Sequence, residues 1–260
     1  MKLRISLLTL AMVLLASSAW AGWVMHQQTA GGASTVYLQN NMMRAGMGAH
    51  GMIYDLNQGT VTMLSPGRKI YWTGRPQELK QQMDQALDSR MEQALKNVPP
   101  EQRARMRAMM SQRMGRGGPG GPNRQRPAPR VEVKATGDYK QIAGYKARKY
   151  QVYVNGRLRQ DMWMADLPGF GKELDMDKMM ELVHSMRPPA MGRAPSLGWR
   201  VSPPMLELWK KGMPLKIVEY RRGASQEVME VTKVENKSLD KGLFLPPAGY
   251  KRVDFAQMVR

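Results

Sequence analysis

The stretch TGDYKQIAGYKARKYQVYVNGRLRQDMWMAD, residues 136–166, decides the fold. Aromatic and β-branched residues alternate in it with basic ones, a pattern typical of β-strands. The dipeptide Asn155-Gly156 favours the type I′ turn of a two-residue hairpin. With this turn, we predict that Tyr150 faces Asp161 across the hairpin.

This register distributes apolar side chains over both faces of the hairpin. One face would hold Tyr150, Val152, Val154 and Trp163, and the other Tyr153, Leu158, Met162 and Met164. Because neither face is cleanly polar, the sheet needs cover on both sides. A helix can supply one cover, and a ligand is the candidate for the other.

The segments on either side of this stretch divide into strands and helices. Residues 22–74 show short apolar runs separated by turn residues, which favours an antiparallel meander. Apolar residues at steps of three or four predict helices over 77–97, 100–114 and 175–186. Residues 115–130 are rich in Gly, Pro and Arg and predict a linker. The fold class is therefore mainly β, of the α+β kind.

In the second of these helices, methionines form the predicted apolar stripe. They are Met106, Met109, Met110 and Met114. Together with the preceding helix, this one predicts a helical hairpin that is inserted, with the linker, into the sheet at residues 76–130.

The N-terminus predicts export. Residues 1–21 combine two basic residues, an apolar run of about a dozen residues and Ala19-Trp20-Ala21, which together resemble a cleavable secretory signal. The mature protein is then a soluble periplasmic protein of one domain, residues 22–260. The chain contains no cysteine, which excludes thiol catalysis and cysteine-based metal sites.

A formal net charge of +19 favours polyanionic partners. For an exported protein these are phospholipid headgroups, lipopolysaccharide or acidic polymers rather than nucleic acid. Solubility alone is the alternative explanation. The arginine-rich segment adds candidate anion-contacting side chains. They are Arg103, Arg107, Arg113, Arg116, Arg124 and Arg126.

At this point the sequence resembles a family of exported bacterial proteins known as a domain of unknown function. The resemblance rests on the GYKARKY core at 144–150 and on pieces elsewhere in the chain. These are SPGRKIYW at 65–72, VPPEQRARM at 98–106, GMPLKIVEY at 212–220, VTKVE at 231–235 and FLPPAGYK at 244–251. The family often carries a cysteine where this chain has Ala147 or Arg148, so any role of that thiol is absent here.

The family is similar to the LolA, LolB and RseB superfamily. That similarity implies a curved antiparallel open barrel of the LolA type, with helices on its concave side. It also implies that the protein binds a lipid or the acyl group of a lipoprotein. Strand placement makes five residues candidates for the ligand lining: Tyr54, Trp72, Met162, Trp163 and Met164. Contact with the membrane surface and with an envelope protein partner are further expectations.

Residue patterns for catalysis are not found. The chain has three histidines, at 26, 50 and 184, but no G-x-S-x-G turn that would supply a serine nucleophile. GRGGPGG at 115–121 is not followed by the Lys-Ser/Thr of a phosphate loop. We therefore expect a protein that is not an enzyme and that uses no cofactor.

Two alternatives differ in class. The chain has 25 methionines, and thioethers with an imidazole are soft ligands for Cu(I), although methionine also packs cores and lines adaptable grooves. The candidate copper ligands are Met42, Met43, Met47, His50 and Met52. The other alternative is an envelope-stress regulator that contacts a protein through residues 76–130.

Overall fold

A computed structural model describes residues 22–47, 50–96, 98–113, 129–186, 198–221 and 223–258. The strands are β1 (Gly22–Thr29), β2 (Gly32–Gln39), β3 (Met42–Met47), β4 (His50–Asp55), β5 (Thr60–Ser65), β6 (Ile70–Gly74), β7 (Val131–Ile142), β8 (Tyr145–Val154), β9 (Arg157–Ala165), β10 (Met213–Arg221), β11 (Ala224–Lys237) and β12 (Lys251–Arg252). The helices are α1 (Pro76–Leu95), α2 (Pro100–Arg113), α3 (Phe170–Glu173), α4 (Met176–Ser185), α5 (Pro203–Trp209) and α6 (Phe255–Met258). The predicted signal segment, residues 1–21, lies outside the described residues.

These strands form one open sheet of 12 strands. Their order is β12-β6-β5-β4-β3-β2-β1-β11-β10-β9-β8-β7. Neighbours pair antiparallel, except that β12 runs parallel to β6. The prediction of a mainly β, antiparallel open sheet with several helices is therefore confirmed, and β7 and β12 are the two edges.

The hairpin β8–β9 turns where the sequence predicts, and Tyr153 faces Leu158 as this turn requires, but the register differs beyond that pair. Asn155 and Gly156 have φ values of 51° and 75°, as a type I′ turn requires. A β-bulge then places Val152 opposite Gln160, whereas a regular register would place it opposite Arg159. Tyr150 consequently faces Met162, so the predicted pairing with Asp161 is wrong.

This bulge exchanges the faces of β9. Met162 and Met164 lie on the side of Tyr150, in a buried group that we call the α5 cluster. Trp163 lies on the opposite side of the sheet and packs against a central cluster that includes Trp23 and Leu38. The α5 cluster consists of Tyr150, Val152, Val154, Met162, Met164, Trp199, Met205 and Leu208.

Helix α4 covers the central cluster. Its buried residues Met179 and Leu182 pack among the side chains of β1, β2 and β8. The helix is positioned by the β2–β3 turn, where the Asn41 N–H donates to the Glu173 carbonyl over 2.7 Å and Asn41 Oδ1 accepts from the Asp175 N–H over 2.7 Å. The Asp175 carboxylate in turn caps α4 by accepting from the backbone N–H of Lys178.

The opposite face of the first half of the sheet is covered by the segment that follows β11. Leu239 and Phe244 pack there against Val24 and Ile53. The buried amide of Gln39 fixes the segment, since its Oε1 accepts from the Leu239 N–H over 2.7 Å and its Nε2 donates to the Leu239 carbonyl over 3.4 Å. A buried amide is stable here because both of its polar atoms are satisfied.

Helices α1 and α2 lie between β6 and β7 in the chain, close to their predicted bounds. Leu79 and Met83 of α1 pack with Trp72 and Phe255 near the β6 edge. The predicted stripe of α2 is wrong, because Met106 and Met109 are 38% and 54% exposed. The side chain of Met110 is not described, and Met114 lies outside the described residues. Within the residues that the structure describes, no helix has the length and apolar character needed to cross a bilayer.

The β7–β8 turn offers a test of the backbone geometry. Ala143 has a φ of 50°, a left-handed conformation that costs an L-residue about 1–2 kcal/mol. We expect Ala143→Gly to stabilise the fold by about 0.5–1 kcal/mol, because glycine relieves this strain but gives the unfolded chain more freedom. The measurement is urea unfolding followed by circular dichroism.

Ala147→Gly is the matched control for this change. Ala147 is fully buried in the interior of β8, where glycine destabilises a strand by about 0.5–1 kcal/mol. Equal destabilisation of both variants would contradict the assigned turn.

Candidate functional site

The structure does not bring the five predicted lining residues together. Met162 and Met164 are buried in the α5 cluster, at 1% and 3% exposure. Tyr54 and Trp163 are partly buried against the central cluster on the other side of the sheet. Trp72 is buried among α1 and α6, where its ring lies 6.0 Å from that of Phe255.

A groove lies instead between the edge strand β7 and helix α5. Its volume is about 580 Å³, within the range of about 300–1,000 Å³ that is common for ligand sites. The strand contributes residues 131–135 and the helix segment contributes Pro204, Glu207, Leu208 and Lys211, with Tyr150 of β8 between them. Its floor is therefore the exposed margin of the α5 cluster.

Several basic side chains of this region lie over aromatic rings. Lys211 Nζ lies 5.4 Å from the centre of the Tyr150 ring, and Lys134 Nζ lies 4.9 Å from that of Tyr153. Tyr139 has Lys146 Nζ at 4.4 Å. Attraction between a cation and the ring face explains why basic and aromatic residues alternate in this hairpin.

Buried polar contacts hold α5 against the sheet. Arg200, in the 3₁₀ turn before α5, pairs with the carboxylate of Glu219 on β10. Gln160 Nε2 donates to the same carboxylate over 3.1 Å, and Arg221 donates to it from the other side. Burial alone would raise the pKa of Glu219, but the hydrogen bonds and charge of these partners outweigh it and hold the pKa below its usual value.

A second buried carboxylate lies on the opposite face of the same strands. Asp161 is 2% exposed, and its Oδ2 accepts from Tyr220 over 3.0 Å and from Lys149 Nζ over 3.0 Å. The hydrogen bond to Asp161 raises the pKa of Lys149, although burial opposes it. For Tyr220, burial and the hydrogen bond to Asp161 both raise the pKa. Asp161 Oδ1 has no hydrogen-bond partner among the described residues.

The sequence missed both carboxylate sites because the partners are far apart in the chain. Arg200 and Glu219 are brought together by β10, and Gln160 reaches them only because of the bulge in β9. The one available signal was the presence of polar residues, Gln160 and Asp161, inside an otherwise apolar strand.

The predicted anion-contacting arginines are only partly described. Arg103 Nε donates to the Val98 carbonyl over 2.7 Å, so this side chain closes the connection between α1 and α2. The side chains of Arg107 and Arg113 are not described. Arg116, Arg124 and Arg126 lie outside the described residues.

The candidate copper ligands divide between the two faces of β3 and β4. Met43 and Met52 pack against the central cluster, and the Met52 sulfur accepts from the Tyr54 hydroxyl over 3.2 Å. Met42 packs on the opposite face. His50 is exposed and pairs in register with Met47, whose side chain is not described. In the described part of the chain, no group of three or more His, Cys, Asp or Glu is arranged to hold a metal ion.

Comparison with known proteins finds a similarity to one family in the second half of the chain. Residues 122–250 match the family described as "Domain of unknown function (DUF4412)". The matched residues contain β7 to β11 and the groove, and the match agrees with the resemblance of the GYKARKY core to a family of this kind. No curated protein matches the chain.

A solved structure, that of PNGF-II, is also similar to this chain. The similarity has a TM-score of 0.35 and 11% identity, and it covers 91% of this chain. The chain spans 32% of the length of PNGF-II. A similarity of this size supports no statement about function.

The contact of Glu219 with Arg200 gives a prediction for α5. Because the pKa of Glu219 is lowered in the folded protein, the stabilisation is present above the ordinary glutamate pKa of about 4.3. It is lost as the pH falls through the lower folded-state value. We expect Glu219→Gln to lower the free energy of unfolding by about 1–2 kcal/mol at neutral pH and to have no effect in strong acid.

Urea unfolding of the wild type and the variant over a pH series measures this difference. Glu207→Gln is the matched control, since that side chain is on α5 but is 69% exposed, and it should leave stability unchanged. A deficit of Glu219→Gln that is independent of pH would contradict the ion pair.

Proposed function

We propose that the protein is a non-enzymatic, exported binding protein of the LolA-like type that holds an amphiphile in the groove between β7 and α5. The amphiphile is an acyl chain that carries an anionic headgroup, from a lipid or a lipoprotein. The observation that carries the proposal is an apolar groove of about 580 Å³ with Lys211 at its margin.

The floor of the groove suits an acyl chain. Val133 and Tyr150 on the strands and Leu208 on α5 line it, and Tyr150 and Leu208 belong to the buried apolar cluster beneath it. Burial of ten methylenes contributes about 8 kcal/mol before ordering costs. This amount is comparable to the free energy of micromolar binding, which is about 8.2 kcal/mol.

The margin of the groove suits an anion. Lys211 belongs to its lining, and its Nζ lies over the Tyr150 ring at 5.4 Å from the ring centre. It contributes little by itself because water and salt screen exposed charges. The headgroup contact therefore adds selectivity for anions and a dependence on salt, while the acyl chain supplies most of the affinity.

This location differs from the concave site that the resemblance implies. The side of the sheet that carries Tyr54 and Trp163 is packed with the apolar side chains of α4, including Met179 and Leu182. An acyl chain there would have to displace a helix from the core. The groove at β7 requires no such rearrangement, so it is the better supported site.

A second candidate function rests on α2. Met106 and Met109 are exposed large apolar side chains on a helix of many charged residues. Because residues three positions apart lie on the same side of a helix, we infer a contact with a protein partner there, as in the envelope-regulator alternative. The substitution of both by serine should abolish recovery of a cross-linked partner from the periplasm without any change in stability.

Binding of dodecanoate, measured by titration calorimetry, tests the amphiphile proposal. Ala135→Glu places a charge in the groove lining at an exposed position, and we expect it to weaken binding at least tenfold, which corresponds to about 1.4 kcal/mol. Met109→Asp introduces the same kind of charge on α2 and should have no effect.

Two further experiments test the headgroup contact and the presence of a natural ligand. Lys211→Glu should weaken binding of dodecanoate at low salt and not at high salt, while binding of the uncharged dodecyl maltoside stays the same. Native mass spectrometry of the protein from its own periplasm should show one bound acyl species per chain. Unchanged dodecanoate affinity in Ala135→Glu would refute the proposed site.

A further inference from the structure

The edge strand β7 is long and exposed. It has 12 residues, and among the described strands β8 is its only neighbour. Residues 137–141 are all exposed. An edge of this length presents unpaired main-chain groups that can pair with another strand.

The direction of these main-chain groups follows from the contacts of β7 with β8. The Asn155 N–H donates to the Arg130 carbonyl over 2.8 Å, so this pair is hydrogen bonded. In an antiparallel ladder, hydrogen-bonded and non-hydrogen-bonded pairs alternate. The main-chain groups of Val131, Val133 and Ala135 therefore point away from β8, towards the open edge.

The same argument applies at the other end of β7. The two-residue turn Ala143-Gly144 joins Ile142 to Tyr145, and the residues that flank such a turn form a hydrogen-bonded pair. Tyr139 and Gln141 therefore also direct their main-chain groups outwards. Both ends of β7 thus offer hydrogen bonds at odd-numbered positions, on either side of an irregular segment, residues 136–138, that lies opposite the single residue Lys149.

We propose that β7 pairs antiparallel with β7 of a second copy of this chain, around a two-fold axis near Ala135, with the irregular segment 136–138 of each copy opposite Lys134 of the other. In this register Val133 of one copy faces Tyr139 of the other, and Val131 faces Gln141. All four residues direct their main-chain groups outwards, so the pairing satisfies groups on both copies. A two-fold contact of this kind is self-complementary and closes after two subunits.

Charge favours this register. Glu132, Lys134 and Lys140 pair with Tyr153, Gln151 and Ala147 of β8, which lie on the side of the sheet opposite Tyr150. Asp138 lies on that side as well, 3.8 Å from Lys149. The two-fold places Glu132 opposite Lys140 and Lys134 opposite Asp138, and each opposite-charge pair occurs twice.

The other side of β7 adds an aromatic contact. Tyr139 is 53% exposed and lies on the side of Tyr150, since Arg148 approaches both rings. When Tyr139 faces Val133 of the second copy, its ring enters the groove between β7 and α5. The exposed tyrosine of each copy then covers the apolar groove of the other.

The dimer also affects ligand binding, and this step rests on the proposed function. An amphiphile and Tyr139 of the second copy compete for one groove. Dimerisation covers the groove in the unloaded protein, and ligand binding releases monomers. The dimer itself depends only on the strand edge and on the charges, so it can be tested without a ligand.

The main experiment is sedimentation equilibrium of the unloaded mature protein over a concentration series. We expect a monomer–dimer equilibrium whose dissociation constant rises at least tenfold in Glu132→Lys and in Lys140→Glu, each of which places like charges opposite each other. The double variant Glu132→Lys/Lys140→Glu restores opposite charges and should recover most of the dimer. Glu92→Lys, on α1, is the matched control and should dimerise like the wild type.

Cross-linking tests the register directly, because the natural chain contains no cysteine. Cα atoms of a non-hydrogen-bonded pair lie about 4.5 Å apart, close enough for a disulfide. Under mild oxidation, a mixture of Glu132→Cys and Lys140→Cys proteins should form a disulfide-linked heterodimer. Neither protein alone should cross-link efficiently, because identical positions do not face each other in this register.

A wild type that stays monomeric at the highest concentration would overturn the proposal. So would a dimer in which the double variant is no better than the single ones, since the contact would then lie elsewhere. Dodecanoate should convert the wild-type dimer to monomers. If the protein binds one dodecanoate per chain and the dimer is unaffected, the competition is refuted and the dimer stands. If the protein dimerises and does not bind dodecanoate, only the proposed function is refuted.

Discussion

A sheet whose strands are apolar on both faces must be covered on both faces, and most of this architecture follows from that constraint. Trp23, Val24 and Met25 are consecutive on β1, and none is more than 4% exposed. Consecutive strand residues point to opposite sides, so both sides of β1 must be packed. Helix α4 supplies one cover, and Leu239 with Phe244 supplies the other. The chain meets this requirement without a disulfide, by buried hydrogen bonds at the places where each cover meets the sheet.

The second half of the sheet meets the constraint differently. Helix α5 covers Tyr150 and Val152 on one side. The other side carries Asp161 with Lys149 and Tyr220, so it is satisfied by ionic and hydrogen-bonded contacts instead of a helix. The excess of basic residues is used locally in the same way, since several lysines and arginines lie over aromatic rings. Net charge alone therefore gives little information about what this surface binds.

The parts of the fold that sequence could predict are those with local causes. Asn155-Gly156 fixes its turn through the φ values that these two residues tolerate, and the periodicity of α1 and α4 follows from the spacing of their apolar residues. The register of β9 could not be predicted in this way, because one bulged residue moves Met162 and Met164 to the other face. The exposure of Met106 and Met109 could not be predicted from their spacing either, because periodic spacing does not show whether another element packs against that side of the helix.

The candidate site was the least predictable part, for a related reason. Its walls come from β7 and α5, which are about 70 residues apart in the chain, and α5 is held against the sheet through the contact of Arg200 with Glu219 of β10. The residues that sequence favoured, such as Trp72 and Met162, are large and apolar and were for that reason taken into the core. The residues that remain at the groove are small ones on an edge strand, Val131, Val133 and Ala135, which composition does not distinguish from any other strand.

These three residues connect the groove to the edge. Their side chains form one wall of the groove, while their main-chain groups point along the open side of the sheet. An acyl chain can cover the side chains, but it offers no donors or acceptors to the main chain, which water must then hydrate. A strand from a second copy can satisfy the main chain and cover the side chains at once. The two occupants thus satisfy different groups of the same residues, and their balance depends on how much apolar surface the amphiphile buries compared with the hydrogen bonds and the Tyr139 contact that it displaces.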